Sequence, residues 1–457
     1  MPTLWTQRYA QRTQRMHRSV LDELIRPTEP SSLISFAGGL PATDMFPITE
    51  VQEACQRVLA EHGARALQYG PTQGYRPLRE MITRHTARYG ITITPDNVLV
   101  TSGSQQALDV LGKVFLNPGD RILVEAPTHV GALQAWHSYQ AEYVSVPVDA
   151  EGLQTDLLEA ALRCGPKLLY VLPNFHNPTG VTLSLARRLK LMAQADQYGV
   201  PIIEDDPYGQ LRYAGEHIAP LAVLDGRSHT RENLPYSGNV LYLSTFSQTL
   251  APGLRLGWMI APTDVMPRLV QAKAGADLQT RLFLQMVAYE VARGGFLDHH
   301  VRELRVMYRE RRDAMLMALG HAFPPEATWT EPQGGLFVWV TLPPTLDITA
   351  VLQDALATDV AFAPGTAFFA HGGGQHMMRL NFTCMEPDRI AEGDPTLGRC
   401  AHPLLGAERL RRVTSARANS ISTARFDSAG DLPPRVDMTP SMRSQGFAAA
   451  FSGSLTL

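Results

Sequence analysis

Between residues 97 and 262 the chain alternates short, continuously apolar runs with helix-length segments, and few architectures accommodate that rhythm. The runs at 97–102 (NVLVTS), 121–125 (RILVE), 168–172 (LLYVL), 201–204 (PIIE) and 240–244 (VLYLS) are rich in Val, Ile and Leu and show little polar alternation. Strands of that kind have both faces covered, as in a parallel sheet. Segments 104–116 and 183–198 between them have helical length and spacing. The alternation predicts an α/β domain with a doubly wound, mostly parallel sheet. Ligands of such sheets bind beyond the carboxyl ends of the strands, and the polar motifs of this chain cluster there.

With 457 residues the chain exceeds one compact core. We read 46–280 as the large sheet domain and 281–321 as an interdomain helical region. Residues 322–392 form a smaller α+β domain with strands expected at 335–342 and 377–382. Helix is expected from 264 to about 319, interrupted at Gly294-Gly295. Residues 1–45 are expected to cross over and pack on the smaller domain. Residues 393–457 mix Arg, Ser, Ala, Gly and Pro without periodicity and are expected to be disordered. Within them Asp394-Pro395 opposes continuation of the preceding helix. A shifted reading frame would account for both the break and the tail.

Composition excludes several classes. The net charge of −3 gives no footprint for nucleic acid or an anionic membrane. No apolar run approaches the ~20 residues that span a bilayer. The four cysteines form no C-x-x-C pair and fit a reducing, cytoplasmic setting. His299 and His300 lack the spacing of a helical zinc pair, so no metal is expected.

Four motifs carry the chemistry. Strand 97–102 runs into Gly103-Ser104-Gln105, where a glycine turn would present helix N–H groups to an anion. The stretch 172–180 (LPNFHNPTG) contains Asn177-Pro178, a turn that would point the Asn177 amide into the cleft. At 203–209 (IEDDPYG), Asp205 could pair with a protonated ring nitrogen, and Tyr208 could donate to a ring oxygen. At 244–258 (STFSQTLAPGLRLGW), Thr245, Ser247 and Arg255 could clamp a phosphate dianion. Each segment alone is also compatible with an ordinary turn or acidic loop. Their order and spacing together carry the argument.

In that order the chain resembles the fold-type I pyridoxal-phosphate (PLP) aminotransferases of class I/II, and within them the 2-aminoadipate and kynurenine aminotransferases. The resemblance covers about residues 5–390, through 34–47 (ISFAGGLPATDMFP), 67–80 (LQYGPTQGYRPLRE), NPTG, EDDPY, PGLRLGW and 379–382 (RLNF). It implies that Gly103, Ser104, Gln105, Thr245, Ser247 and Arg255 hold the cofactor phosphate. Tyr69 would reach the phosphate in a neighbouring subunit, implying a homodimer. Asn177 and Tyr208 would bond the ring oxygen and Asp205 the ring nitrogen. Arg379 would fork onto the α-carboxylate of an α-amino acid or 2-oxo acid, with Asn177 and Gly39 beside it.

Three departures stand out. Where the family reads S-F-S-K-T-L-A-P-G-L-R, this chain reads T-F-S-Q-T-L-A-P-G-L-R. Gln248 therefore occupies the position of the lysine that tethers the cofactor and carries the proton. General acid–base catalysis of that kind typically contributes ~10²- to 10⁴-fold, and a carboxamide supplies none of it. The cofactor is then expected to bind noncovalently, as PLP or as pyridoxamine phosphate. The ring-stacking position, commonly Tyr, is His129, whose protonation would alter the ring's electronics. The third departure is the C-terminal break. The resulting expectation is an aminotransferase-type protein of doubtful turnover, the alternative being a non-catalytic PLP- or amino-acid-binding homologue or an inactive dimer partner.

Overall fold

A computed structural model describes residues 4–15, 33–88, 90, 93–229 and 236–401. Strands are numbered along the chain. β1 (Ile34–Ser35) precedes β2 (Val98–Thr101), β3 (Arg121–Ala126), β4 (Glu142–Asp149) and β5 (Gly152–Leu153). Then come β6 (Leu168–Val171), β7 (Ile202–Asp205), β8 (Val240–Thr245) and β9 (Gly257–Ile260). The large sheet has the order β2-β9-β8-β7-β6-β3-β4-β5. Its centre, β8-β7-β6-β3-β4, is parallel, as the apolar runs predict.

β9 was not expected inside the sheet. It runs antiparallel between β2 and β8, so β2 does not join the parallel array directly. Gly257 permits this: a Cβ there would lie 2.8 Å from the Gly103 carbonyl carbon and 2.9 Å from the Ser104 nitrogen. The absence of a side chain thus lets β9 run against the turn that follows β2. β4 was also missed, because its partly exposed, edge-type pattern lacks the apolar run that marks the central strands.

The sheet is covered on both faces. Eight helices matter below: α1 (Ile48–Ala66), α2 (Arg76–Ala87), α3 (Ser104–Phe115), α4 (Leu185–Tyr198), α5 (Met266–Asp277), α6 (Leu282–Ala292), α7 (Phe296–Ala322) and α8 (Pro387–Cys400). One core joins α1, α2, α4 and α6 to residues such as Val100, Leu169, Ile202 and Trp258. The other joins α3 and α5 to Leu99, Tyr170, Ile203 and Met259. Alternate residues of each strand serve opposite cores, which is the period-two geometry of a strand buried on both sides. α4 is closed at both ends by its own sequence: Ser184 Oγ accepts from Arg187 N–H, and Gly199 ends it with φ 63°.

The expected helix from 264 to about 319 is broken twice. Besides the turn at Arg293–Gly295, Leu278 adopts φ 62° and separates α5 from α6. The extra break is fixed by long-range contacts. Thr280 donates to the Val100 carbonyl at 3.3 Å, and Gln285 accepts from Tyr75 N–H at 2.7 Å.

The smaller unit holds β10 (Thr328–Trp329), β11 (Phe337–Thr341), β12 (Val360–Ala361), β13 (Ala363–Pro364) and β14 (Met377–Asn381). Its antiparallel sheet has the order β10-β11-β14-β13, and β1 pairs in parallel with β12. The segment before residue 45 thus meets the smaller unit at Ile34–Ser35, where it is described.

One expectation needs correction. α8 passes through Pro395 and continues to Cys400 instead of stopping. Leu397 and Ala401 are fully buried in the core shared with α7. Pro395 is exposed, so the carbonyl that its missing N–H leaves unpaired, that of Ala391, lies on the solvent side. Burial of one helix face outweighs a local propensity. The rest of the expected tail, 402–457, lies outside the described residues.

Candidate active site

The carboxyl ends of β2, β6, β7 and β8 open onto a cavity of about 420 Å³. Its lining includes Gly39, Ser104, Gln105, His129, Asn177, Asp205, Tyr208, Thr245, Ser247, Gln248, Arg255 and Arg379. These residues come from eight separate stretches of the sequence, brought together by the topology. Gly103 lies beneath this wall rather than in it. Two predicted positions need separate comment: Tyr69 is 76% exposed and stands outside the cavity of a single chain, and Gly103 acts through its backbone.

Gly103 has φ 81° and caps α3. A Cβ on it would come within 2.5 Å of Arg255 Nη2, so a glycine is required for the guanidinium to lie against the turn. Arg255 itself adopts φ 50°, a left-handed conformation uncommon for a side chain of this size. Thr245 donates to the Leu256 carbonyl at 2.9 Å, while Ser247 N–H donates to Thr245 Oγ1 at 3.1 Å. Helix N–H groups, two hydroxyls and one guanidinium therefore face one space. That donor set suits a phosphate dianion.

Asp205 ends β7, 2% exposed. Tyr170 on β6 donates to Asp205 Oδ2 at 2.7 Å, whereas the buried Oδ1 has no partner among the described residues. Burial pushes the Asp205 carboxyl up to about 7, with Asp206 adding to the shift and Tyr170 opposing it. A buried carboxylate with one unsatisfied oxygen suits a cationic N–H donor such as a protonated pyridine.

His129 sits opposite, its Nδ1 3.4 Å from the Tyr170 hydroxyl. Burial, aided by the charge of Arg379, pushes its imidazole down to about 4. That shift favours the neutral imidazole at neutral pH. Gly131 gives the ring its room: a Cβ there would lie 2.7 Å from His129 Cε1.

Arg379, on β14, reaches across from the smaller sheet. Its Nη1 donates to Asn177 Oδ1 at 2.8 Å and its Nη2 to the Ala37 carbonyl at 2.6 Å. The guanidinium lies 4.2 Å from the Phe337 ring centroid and 4.9 Å from that of Phe368. Burial lowers its pKa to about 10, so it stays charged at neutral pH. Nε is buried and unpaired among the described residues. Tyr208 packs edge-on against Phe337, and burial raises its phenol above the ordinary value, keeping it a neutral donor.

Gln248 lines this cavity with its side-chain oxygen buried and without a partner among the described residues. The chain's four lysines are absent from the lining. Lys113, Lys167, Lys190 and Lys273 instead pair with Asp109, Asp120, Asp156 and Asp277. Lys273 was read only as part of a helix. It is fully buried and, through Asp277 and that residue's 3.3 Å contact with Ser102 Oγ, braces the turn beside Gly103. Tyr170 was also overlooked, since in the sequence it is one apolar-looking strand residue among five. Only Asp205 on the neighbouring strand reveals its role.

A mixed sheet with an anion turn, a strand-end carboxylate and an arginine from a second unit defines a PLP-dependent transferase of fold type I. The family model of aminotransferase class I and II matches residues 31–393, and the chain belongs to that family. It is 44% identical over 400 residues to aromatic-amino-acid aminotransferase 1 of Thermococcus litoralis, covering 86% of this chain and 94% of that one. It superposes with TM-score 0.82 on LysN, an α-aminoadipate aminotransferase of Thermus thermophilus complexed with N-(5'-phosphopyridoxyl)-L-leucine. Identity there is 39%, with 89% of this chain and 100% of that one covered. Kynurenine aminotransferase of Pyrococcus horikoshii, in complex with pyridoxamine phosphate, gives TM-score 0.81 at 40% identity over 87% of this chain and 98% of that one. The family uses PLP or pyridoxamine phosphate, and the unpaired Asp205 oxygen and the Gly103–Arg255 cradle fit such a group.

Proposed function

We propose that this chain is an amino-acid aminotransferase in architecture whose cofactor is held without a covalent tether, because Gln248 stands where the family has its lysine. The observation that carries this reading is the unpaired Gln248 carboxamide in a cavity that otherwise keeps Asp205, Tyr208, Arg255 and Arg379.

When bound, the cofactor supplies the group that exchanges an amine and a ring that draws electron density from the reacting carbon. The N–H groups of Ser104 and Gln105, the turn at Gly103, and Thr245, Ser247 and Arg255 hold its phosphate. Asp205 Oδ1 accepts the ring N–H, while Tyr208 and the Asn177 amide donate to the ring oxygen. His129 packs on the ring as a neutral imidazole. Arg379 binds the α-carboxylate of an amino acid or 2-oxo acid, with Gly39 beside the substrate's side chain. Tyr69 of a second copy completes the phosphate site, making the working unit a homodimer. The relatives' names favour an aromatic or 2-aminoadipate-like substrate.

The proton step is where this chain departs. Gln248 can orient an amine or a water by hydrogen bonds, but at neutral pH it neither takes up nor delivers a proton. Tyr208 is held neutral, Asp205 faces the ring nitrogen, and His129 is held well below neutrality. Binding is thus retained and proton transfer impaired. The same observation favours the second reading, a homologue that binds PLP or an amino acid without turnover.

The test measures 2-oxo acid formed from a panel of amino acids, with PLP and an acceptor keto acid, at substoichiometric protein. We expect little or no turnover by the unmodified chain and clear turnover by Gln248→Lys. Many turnovers by the unmodified chain would refute the role assigned to Gln248. Silence from both, with pyridoxamine phosphate still bound, would favour the binding-only reading.

A further inference from the structure

Asn177 reaches Arg379 from a turn whose backbone is strained. Phe175, two residues earlier, has φ 48°. A phenylalanine keeps that left-handed conformation only where its surroundings impose it.

His176, between the two, supplies the restraint. Its N–H donates to the Val181 carbonyl at 2.8 Å, and its carbonyl accepts from Gly180 N–H at 2.6 Å. The imidazole is buried and reaches two ways. Nδ1 lies 2.8 Å from Thr179 Oγ1 and accepts from Thr179 N–H at 3.4 Å. With Nδ1 accepting, the ring proton sits on Nε2. Nε2 faces Glu125 Oε2 on β3 at 3.2 Å, an offset polar contact rather than a linear hydrogen bond. The same oxygen accepts from Leu172 N–H at 2.9 Å. One buried carboxylate oxygen thus ties the end of β3 to the chain leaving β6 and to the turn.

Glu125, His176 and Thr179 are absent from the lining of the candidate active site, whereas Asn177, the residue after His176, is part of it. Asn177 Oδ1 is taken by Arg379, which leaves the amide nitrogen as the end directed toward Tyr208 and a ligand. We propose that His176 is a positioning residue: held by Glu125 and Thr179, it fixes the direction of the Asn177 amide toward Arg379 and the cofactor's ring oxygen. This rests on the reading of the cavity as a PLP or pyridoxamine phosphate site. A donor held in place before the ligand arrives loses little rotamer freedom on binding.

The test is a double-mutant cycle on pyridoxamine phosphate affinity, followed by fluorescence of the full chain, with unfolding midpoints measured beside it. His176→Phe keeps a ring and removes both polar contacts, and it should weaken binding about tenfold. In an Asn177→Ala background the same change should alter affinity by less than about twofold, since its route to the ligand is already gone. His176→Gln keeps a donor toward Glu125 and should bind within about threefold of the unmodified chain. Should His176→Phe not fold, Thr179→Val, which removes the hydroxyl and little else, carries the same cycle with a loss of about threefold. A loss that persists in full in the Asn177→Ala background would overturn the positioning role and leave the cofactor reading intact. So would a lowered unfolding midpoint with unchanged affinity. An unmodified chain that does not bind pyridoxamine phosphate would instead refute the cofactor reading, and this inference with it.

Discussion

Tyr170 and Asp205 illustrate how one neighbour sets the chemistry of another. Tyr170 occupies one carboxylate oxygen and leaves the other for a ligand. It also stabilises the ionised form, opposing the rise that burial imposes. Tyr170→Phe should therefore raise the Asp205 pKa further. The affinity for pyridoxamine phosphate, followed by fluorescence, should fall about three- to tenfold at pH 7. Its pH midpoint should also move to higher pH, whereas loss of packing alone would lower affinity equally at all pH values.

Asp205 itself predicts a pH-dependent stability. Its folded pKa, about 7, lies above the ordinary carboxylate value, so between about pH 4 and 7 the folded state holds a proton that the unfolded chain has lost. The stability associated with that proton is present at low pH and is lost as pH rises through 7. In the absence of cofactor, Asp205→Asn should raise the melting temperature at pH 8 relative to the unmodified chain and have little effect near pH 4. The gain at pH 8 is on the order of 2–4 kcal/mol. An identical shift at both pH values would disprove the assignment.

At the scale of elements, α8 shows local propensity giving way to packing. Leu397 is fully buried against the core of the smaller unit, two residues after a proline that would end an isolated helix. Gly398 is required there, because a Cβ would fall 2.2 Å from the Ala322 carbonyl oxygen on α7. Leu397→Ala should cost about 2–5 kcal/mol by denaturant unfolding, as for other buried leucines. A cost near zero would mean that the last turns of α8 do not dock as described.

At the scale of the whole molecule, the exposed surface bears on the number of copies that make up the working protein. Leu67 and Tyr69, in the motif expected to serve a neighbouring subunit, are 75% and 76% exposed. Apolar side chains exposed that far, side by side in one segment, are better explained by a second copy than by solvent. Light scattering should give a dimer mass. Tyr69→Phe should weaken pyridoxamine phosphate binding several-fold without changing the mass, and a monomer with unimpaired binding would reject the shared-site reading.

Much of this protein was legible from local pattern. Continuous Val/Ile/Leu runs marked the central parallel strands, because strands buried on both faces leave no polar alternation. Gly103, Asn177, Asp205 and Arg255 could be picked out because turns and strand ends demand particular residue types. Gln248 stood out against its flanks. Other features belong to the tertiary structure alone. The antiparallel insertion of β9, the second helix break at Leu278, the donation from Tyr170 and the bracing by Lys273 all depend on partners 30 to 180 residues away in the chain or on neighbouring strands. The neutrality of His129 likewise follows from burial and from Arg379 on a separate sheet. Residue type determines which interactions are available. Only the folded chain decides which of them are made, since burial and distance set their strength.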